Sequence, residues 1–181
     1  MKKPLLFIAI AITTNFLSQS TYVPDDNFEQ ALIDLGYDTA LDDYVLTENI
    51  ENIGELNISS KGIEDLTGLE DFNSLYYLDC FTNNLSHFDF SQNTNLRWVN
   101  CSSGSAEYPL LSVDVTECLE LEYLICCGSA FIPGEHMESI DLSNNIALRE
   151  ASLTFNQLTS LDLNNNPALE VVNCYGNNLS C

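Results

Sequence analysis

Basic residues are scarce in this chain of 181 residues. Five lysines and arginines stand against 27 aspartates and glutamates, which gives a formal charge of −22. Nucleic acid is negative along its whole length, so a surface this acidic would repel it, and an anionic membrane surface is disfavoured for the same reason. The composition therefore argues against nucleic-acid binding and leaves cations, cationic partners and neutral ligands.

Apolar runs long enough to span a membrane are also missing. The N-terminal run, from Pro4 to Leu17, has fourteen residues, fewer than the roughly 20 that a spanning helix needs. Two lysines precede this run, and the small residues Ser18 and Ser20 follow it, which is the layout of a secretory signal peptide. We predict a signal peptide over residues 1–20, with an uncleaved N-terminal anchor as the alternative. No membrane insertion is expected after cleavage.

Removal of this segment makes the charge still more one-sided. It takes away two basic residues and no acidic ones, so that Lys61, Arg97 and Arg149 remain against 27 acids, a formal charge of −24. The remaining residues are enough for one domain with its own core. We expect a secreted or outer-surface protein whose acidity provides solubility outside the cell.

Catalytic signatures are missing as well. The sequence holds no GxSxG, no HExxH and no phosphate loop, and neither histidine has a nucleophile at a suggestive spacing. Acidic residues are abundant, but abundance without a pocket identifies no acid/base pair. Zinc is disfavoured because there is no CxxC pair and the histidines are isolated. We predict that the chain is not an enzyme.

What the sequence does contain is a repeat with steps of ten and eleven residues, stretched by insertions at 105–109 and 131–136. Its segments begin at Leu75, Leu85, Leu96, Leu110, Leu121, Met137, Leu148, Leu158 and Leu169. Counted from its first residue, each segment has apolar residues at places four and six around an outward place five, the signature of a short strand with one buried face. Place nine is usually Asn or Gly, which favour turns and tolerate left-handed backbone. Such regular self-similarity indicates a solenoid.

Two segments together close one coil of about 21 residues, and successive coils should stack about 4.8 Å apart. The pattern LxxLxCxxNxLxxLDLxxN, from Leu75 to Cys181, resembles the nested leucine-rich repeats called IRREKO type, found in bacterial secreted and surface proteins. Upstream, residues 53–75 resemble the longer internalin-type unit. We therefore expect a mainly β, right-handed leucine-rich-repeat solenoid with two short parallel sheets over residues 53–181. The chain stops three residues into a new segment, so we expect a truncated solenoid. We also expect a monomer.

A small helical cap is expected over residues 21–52, because a solenoid exposes an apolar cross-section at its end. The stretch VPDDNFEQALIDLG has apolar residues at helical spacing: Phe28, Ala31, Leu32 and Leu35. Asp26 and Glu29, three residues apart, predict a capping box, and Gly36 predicts the end of the helix. This helix should close the N-terminal end of the solenoid.

The cysteines mostly occupy one column of the repeat. Place six of the first half-coil holds Cys80, Cys101, Cys126 and Cys174, with Leu153 once. These side chains should point inward, where a free cysteine behaves as a small hydrophobe. Parallel neighbours seldom meet the torsion that a disulfide requires, and the resemblance implies free thiols too. Cys118 stands at a turn-Asn place and Cys127 faces outward, so pairing of one of these two is left open.

An aspartate column occupies the outward place five of the second half-coil. Its members are Asp89, Asp114, Asp141 and Asp162, with serine or threonine beside them. Neighbouring carboxylates about 4.8 Å apart repel by under about 1 kcal/mol in water, so solvation alone can support such a ladder. The functional alternative is a calcium-binding ridge, since hard cations prefer oxygen ligands. No other cofactor is expected.

An aromatic row occupies the outward place three of the first half-coil in successive coils: Tyr77, Trp98 and Tyr123. Asp79 and Asn100 lie between them, and Phe81, Phe155 and Tyr175 lie on or beside the same face. An exposed aromatic row with interleaved polar groups is suited to hold a peptide or a sugar. The alternative is a cross-strand ladder that only steadies the sheet.

From these features we predict a module that binds a protein or polysaccharide partner through its strand face, as leucine-rich-repeat relatives generally do. An adhesin or structural spacer is one alternative, in which the solenoid only provides length and surface. The other is a non-catalytic part of a larger secreted enzyme.

Overall fold

The computed structural model describes residues 19–103, 107–129 and 136–180. The predicted signal peptide apart from its last two residues, residues 105–106 of the first insertion and residues 131–135 of the second lie outside these residues. Gln19 and Ser20 do take part in the fold: Ser20 pairs with Leu46, and the Thr47 amide donates to the Gln19 carbonyl at 2.9 Å. The two residues assigned to the end of the signal peptide therefore belong to the first strand pair in this structure.

The N-terminal cap is a strand pair with two helices. Strand β1 (Ser20–Tyr22) runs antiparallel to β2 (Tyr44–Leu46), and helix α1 (Asp26–Asp34) lies between them in the chain, with the short α2 (Thr47–Ile50) after β2. Helix α1 buries Phe28, Ala31 and Leu32 and ends before Gly36, whose φ is +82°. Leu35, the fourth apolar residue at helical spacing, is exposed, because the helix ends at Asp34. None of the described helices is long and apolar enough to cross a bilayer.

The predicted capping box is wrong, because the cap residue is one position earlier. Asp25 accepts from the Asn27 and Phe28 amides at 2.9 and 2.8 Å through one carboxylate oxygen. The other oxygen accepts from the amides of Glu64 and Asp65, at 2.7 and 3.0 Å. A single side chain thus caps the helix and fixes it to the first repeat unit. Asp26 is merely the first helical residue.

The solenoid stacks six parallel strands into one sheet. In spatial order, with strands numbered along the chain, these are β3 (Glu55–Asn57), β4 (Tyr77–Asp79), β6 (Trp98–Asn100), β8 (Tyr123–Ile125), β9 (Glu150–Ser152) and β10 (Val171–Asn173). The pairing is in register: Tyr77 is opposite Trp98, and Trp98 is opposite Tyr123. The mainly β leucine-rich-repeat solenoid with a small helical cap is therefore confirmed.

The second sheet is shorter than predicted. Only β5 (His87–Asp89) and β7 (Ser112–Asp114) pair on the other side of the described residues. The later second half-coils continue the stack without strand pairing. Between the two sides the core is formed by places one, four and six; in the coil at Leu75 these are Leu75, Leu78 and Cys80, each at most 1% exposed. At β10 the interior opens, and Val172 is 39% exposed.

Buried asparagines at place nine join one coil to the next. In the first half-coils, Asn83 donates to the carbonyls of Ile58 and Cys80, both at 2.9 Å, and Asn156 does the same with Cys126 and Leu153. One acceptor is in the preceding coil and the other in the same coil. Because a corner leaves backbone carbonyls without a ladder partner, these side chains supply the missing donors.

In the second half-coils both acceptors belong to the preceding coil. Asn145 donates to the carbonyls of Val115 and Cys118, and Asn166 repeats this one coil later. Cys118 occupies the same place, and its Sγ lies 3.5 and 3.7 Å from the carbonyl oxygens of Phe90 and Asn93. The thiol therefore takes the asparagine position but has only one, weaker hydrogen-bond donor, the S–H group. This explains Cys118 without a disulfide.

In four of the first half-coils the left-handed residue falls at place eight, one residue before the predicted position. The residues of positive φ at this place are Ser60, Thr82, Phe155 and Gly176, with φ between 55° and 74°. The asparagines at place nine make the hydrogen bonds across coils, and the residue before them has the turn conformation.

Candidate ligand-binding face

The aromatic row lies on the outer face of the six-stranded sheet, as predicted. Tyr77, Trp98 and Tyr123 are half-buried and occupy one column of strands β4, β6 and β8. The rings of Tyr77 and Trp98 stack with centroids 4.3 Å apart and planes 9° apart. Burial and the neighbouring carboxylates of Asp79 and Glu55 raise the pKa of Tyr77, so the potential at this end of the row is negative.

The polar residues predicted between the rings lie one column further along the strands. Asp79 and Asn100 are half-buried, and each accepts a hydrogen bond from the amide two residues on: Phe81 at 3.2 Å and Ser102 at 3.3 Å. One oxygen of each side chain is therefore engaged in closing the turn. Asp79 retains a second carboxylate oxygen and Asn100 its amide nitrogen for a ligand.

Beyond the row the face is concave. A groove of about 280 Å³ lies over strands β8 and β9. Its lining comprises Trp98, Tyr123, Leu124, Ile125, Glu150, Ala151, Ser152, Val171 and Asn173. It forms because β9 presents Glu150 and Ser152 where β8 presents the bulkier Tyr123 and Ile125. The stacked rings of Tyr77 and Trp98 therefore lie next to an open groove.

Sequence reasoning named two aromatic residues of this groove and missed its carboxylate. Glu150 stands at place three of its segment, in the same column as Tyr123, to which it is paired. The alignment of segments already contained this information, because every residue at place three shares one column. The prediction considered only the aromatic residues at this place. It therefore left out Glu55, which is paired with Tyr77, and Glu150, which is paired with Tyr123.

Phe81, Phe155 and Tyr175 lie at the edge of the same face, following the strands. Tyr175 is 73% exposed and Phe81 40% exposed. The rings of Phe155 and Tyr175 meet edge to face, with centroids 5.5 Å apart. This edge is apolar and accessible, which extends the aromatic surface beyond the sheet.

A charged column runs along the other edge of the sheet, at place two. Arg149 Nε lies 3.4 Å from Glu122 Oε2, with both side chains partly exposed. Tyr76 donates from its hydroxyl to Glu55 at 2.5 Å, and this bond raises the pKa of Tyr76. Arg97 belongs to the same column, between Tyr76 and Glu122, so that positive and negative groups alternate there.

The aspartates of the second half-coil close turns. The carboxylates of Asp89, Asp114, Asp141 and Asp162 accept from the amide two residues on, at 2.9 to 3.0 Å. Hydrogen bonds from Ser91 and Ser143 lower the pKa of Asp89 and of Asp141. Calcium binding at this column stays a prediction.

In the described ranges one group of three carboxylates, Asp26, Glu29 and Asp43, brings its oxygens within 4.8 Å of one another. It lies in the cap, away from the aspartate column. Glu29 is fully buried and accepts from three backbone amides, so its oxygens are engaged in holding the chain and the group has a structural role.

A second groove, of about 480 Å³, lies between residues 64–70 and strand β5. It is larger than the groove beside Trp98, but three of its four acidic residues hold turns: Asp65 accepts from Thr67, Glu70 from Gly68, and Asp89 from Ser91. Its aromatic ring, Phe88, is only 5% exposed. The aromatic face is therefore the better candidate site.

The cysteine column lines the interior, as predicted. Cys80, Cys101 and Cys126 are at most 1% exposed, whereas Cys174 is half-buried in the last coil. All six described cysteines are free thiols. Burial raises the pKa of Cys80 and of Cys101, and burial and nearby carboxylates raise the pKa of Cys118 to about 12. These thiols are packing groups.

This burial predicts a pattern of thiol reactivity. At pH near 8, Cys80, Cys101 and Cys118 should react with iodoacetamide at least about a hundredfold more slowly in the folded than in the unfolded protein, since the thiolate is the nucleophile. The half-exposed Cys127 and Cys174 should be labelled first. Peptide mass spectrometry of timed samples measures each rate. Equal labelling of Cys101 and Cys127 in the folded protein would contradict this arrangement.

The same pKa direction fixes a pH dependence. Because the folded pKa of these thiols is raised above the unfolded value, their contribution to stability is complete below about 8.5 and is lost as the pH rises above it. The protein should therefore unfold more readily in alkaline than in neutral buffer.

Comparison with solved structures finds similar solenoids. The chain is similar to the functional domain of InlJ from Listeria monocytogenes, which includes a cysteine ladder, at 23% identity over 91% of this chain and 44% of that one, with a TM-score of 0.43. It is similar to an internalin C2 from the same species, at 15% identity over 91% and 92% of the two chains, with a TM-score of 0.42.

A third similar structure is InlP from Listeria monocytogenes, at 15% identity over 85% of this chain and 52% of that one, with a TM-score of 0.49. The chain thus spans about half the length of two of these structures. No family model and no curated protein matches the sequence.

Proposed function

We propose that this chain is a secreted or cell-surface recognition module that binds a protein or glycan partner on the outer face of its six-stranded sheet. The observation that carries the proposal is the aromatic row in register on β4, β6 and β8, which opens into the groove lined by Trp98, Tyr123 and Glu150. Half-buried aromatic rings beside a concave site provide contact area at low entropic cost, and interfaces are enriched in such residues.

A ladder that only steadies the sheet accounts for part of this arrangement. The Tyr77–Trp98 stack, at 4.3 Å, is a stabilising cross-strand pair. The groove beside Trp98 and the 40% exposure of the Phe81 ring are not explained by such a ladder. Together they favour binding over a spacer. A catalytic domain elsewhere in a larger protein remains compatible with such a module.

The proposal predicts the effect of removing the rings. Arrays of extracellular proteins and glycans probed with the labelled protein should give signals that fall at least about tenfold with Trp98→Ser and Tyr123→Ser, because binding hot spots are enriched in Trp and Tyr and contribute about 2 kcal/mol or more. Circular dichroism checks that the variants are folded.

Ile146→Ser is the matched control. Ile146 is 60% exposed and lies outside the six-stranded sheet, so its replacement removes exposed apolar surface without touching the site. Signals that survive both ring variants and the control alike would support the spacer alternative.

A further inference from the structure

The groove beside the aromatic row combines two aromatic walls with a carboxylate. Trp98 and Tyr123 line one side, Glu150 lies beside them, and Val171 and Asn173 form the opposite rim. Within the described part of the chain, the Glu150 carboxylate has no hydrogen-bond or ion-pair partner. The neighbouring Arg149 is paired with Glu122 instead. The groove therefore presents an uncompensated negative charge next to ring faces.

We propose that this groove takes the side chain of a lysine or arginine from a basic segment of a protein partner; this inference rests on the proposed function. An ammonium or guanidinium group close to a Trp or Tyr face is attracted by the ring quadrupole, most strongly by Trp. A carboxylate at hydrogen-bonding reach adds a charge-assisted bond. Neither contribution is available to a neutral side chain.

The charges of the surrounding face favour the same ligand. Its acidic residues at places two, three and five are Glu55, Asp79, Glu122, Glu150 and Glu170, against the two basic residues Arg97 and Arg149. Both arginines lie in the edge column, and Arg149 is neutralised by Glu122. The chain as a whole has a formal charge of −22, which attracts a basic partner and repels an acidic one.

The size of the groove argues for a side chain of a larger partner. Its volume of about 280 Å³ is at or below the lower limit of sites that enclose a whole small ligand, roughly 300 Å³. A stable protein interface buries at least about 1,200 Å² in total, so a partner segment would also contact the sheet face around the groove. The groove is then the anchor of an extended basic segment lying across the sheet.

Trp98 makes this inference directly testable, because it is the single tryptophan of the chain. Its fluorescence is followed in buffer of physiological salt during titration with a lysine-rich peptide, with the same peptide after acetylation of every lysine, and with tetramethylammonium chloride. We expect the lysine-rich peptide to give a saturable change and the acetylated peptide to bind at least about tenfold more weakly, a loss of about 1.4 kcal/mol.

Two variants separate the groove from net charge. Glu150→Gln should weaken the lysine-rich peptide roughly tenfold, whereas Glu138→Gln, which removes the same charge from an exposed position on the other side of the solenoid, should change it by less than about twofold. Equal weakening by both variants would mean that only overall charge matters and would overturn the inference. Far-ultraviolet circular dichroism confirms that both variants are folded.

The remaining outcomes also decide the question. Equal binding of the acetylated peptide would overturn the preference for a cation while leaving a binding face, so the proposed function would stand. Saturation by tetramethylammonium as readily as by the peptide would assign the groove to a small cation and overturn the protein segment. If no probe changes the fluorescence, the inference fails, and the protein and glycan arrays decide separately whether the proposed function does.

Discussion

Replacing Asn83 with alanine is expected to lower the free energy of unfolding by about 3 to 4 kcal/mol. The side chain is 3% exposed and makes four hydrogen bonds. It donates to the carbonyls of Ile58 and Cys80, both at 2.9 Å, and accepts from the amides of Lys61 and Ile63 at 3.0 and 3.1 Å. Alanine leaves four backbone groups without partners where the first repeat unit meets the coil that begins at Leu75. Chemical denaturation followed by circular dichroism measures the loss.

The neighbouring asparagine is the control for this prediction. Asn84 is half-buried, and its side chain makes one long bond, 3.4 Å, to the Gly62 carbonyl. Asn84→Ala should cost less than about 1 kcal/mol. If both alanine variants lose the same stability, the hydrogen bonds across coils are not what stabilises this corner.

Asn83→Asp distinguishes the two halves of the side chain. Aspartate keeps an oxygen for the amides of Lys61 and Ile63 but turns its second oxygen towards two carbonyls, so it should be at least as destabilising as alanine. Wild-type stability of Asn83→Asp would show that the two donated bonds contribute nothing.

Glu29→Gln is expected to destabilise the protein by about 2 to 3 kcal/mol. The Glu29 carboxylate is fully buried and accepts from the amides of Asp42, Asp43 and Tyr44 at 3.0 to 3.1 Å. Glutamine has one acceptor oxygen, so at least one amide is left facing a donor. The change also removes repulsion, because oxygens of Asp26 and Asp43 lie within 4.8 Å. Asp26 and Asp43 are exposed to solvent, which screens part of that repulsion, so we expect the lost hydrogen bonds to dominate.

Asp26→Asn is the matched control for the cap. Asp26 is exposed in the first turn of α1, where a carboxylate favours the helix by only about 0.3 to 1 kcal/mol. Hydrogen exchange of the amides at residues 42–44 should accelerate with Glu29→Gln and stay unchanged with Asp26→Asn. Unchanged exchange in both variants would contradict the role of Glu29 in holding this loop.

The solenoid and its columns could be predicted because they depend on short-range regularity. Apolar residues at places one, four and six of each segment face inward in any stacked arrangement, so the burial of Cys80 and Cys101 follows from spacing alone. The stack of Tyr77 on Trp98 follows from the same register. The missing pairing of the later second half-coils has no comparable signal in the repeat.

The cap shows where spacing fails. Asp26 and Glu29 have the spacing of a capping box, yet Asp25 caps the helix and Glu29 faces the loop that leads into β2. These partners lie 13 to 15 residues from Glu29 and, for Asp25, as far as 40 residues away. The sequence near the helix start does not show which carboxylate is the cap. Asp25 and Asp26 are adjacent, and they differ only in the residues that pack against them in the folded protein.

By itself the sequence determined the repeat length, the inward and outward faces, the columns of cysteine, aspartate and aromatic residues, and the acidity of the surface. Each of these features depends on residue spacing or on composition. Stacking the coils in register places equivalent residues in the same column. Only the tertiary structure decided that Glu150 shares a groove with Trp98, that Arg149 pairs with Glu122, and that the Cys118 thiol lies against the carbonyls of Phe90 and Asn93. These contacts join side chains of different coils, 25 or more residues apart in the sequence. They form only when the coils are stacked.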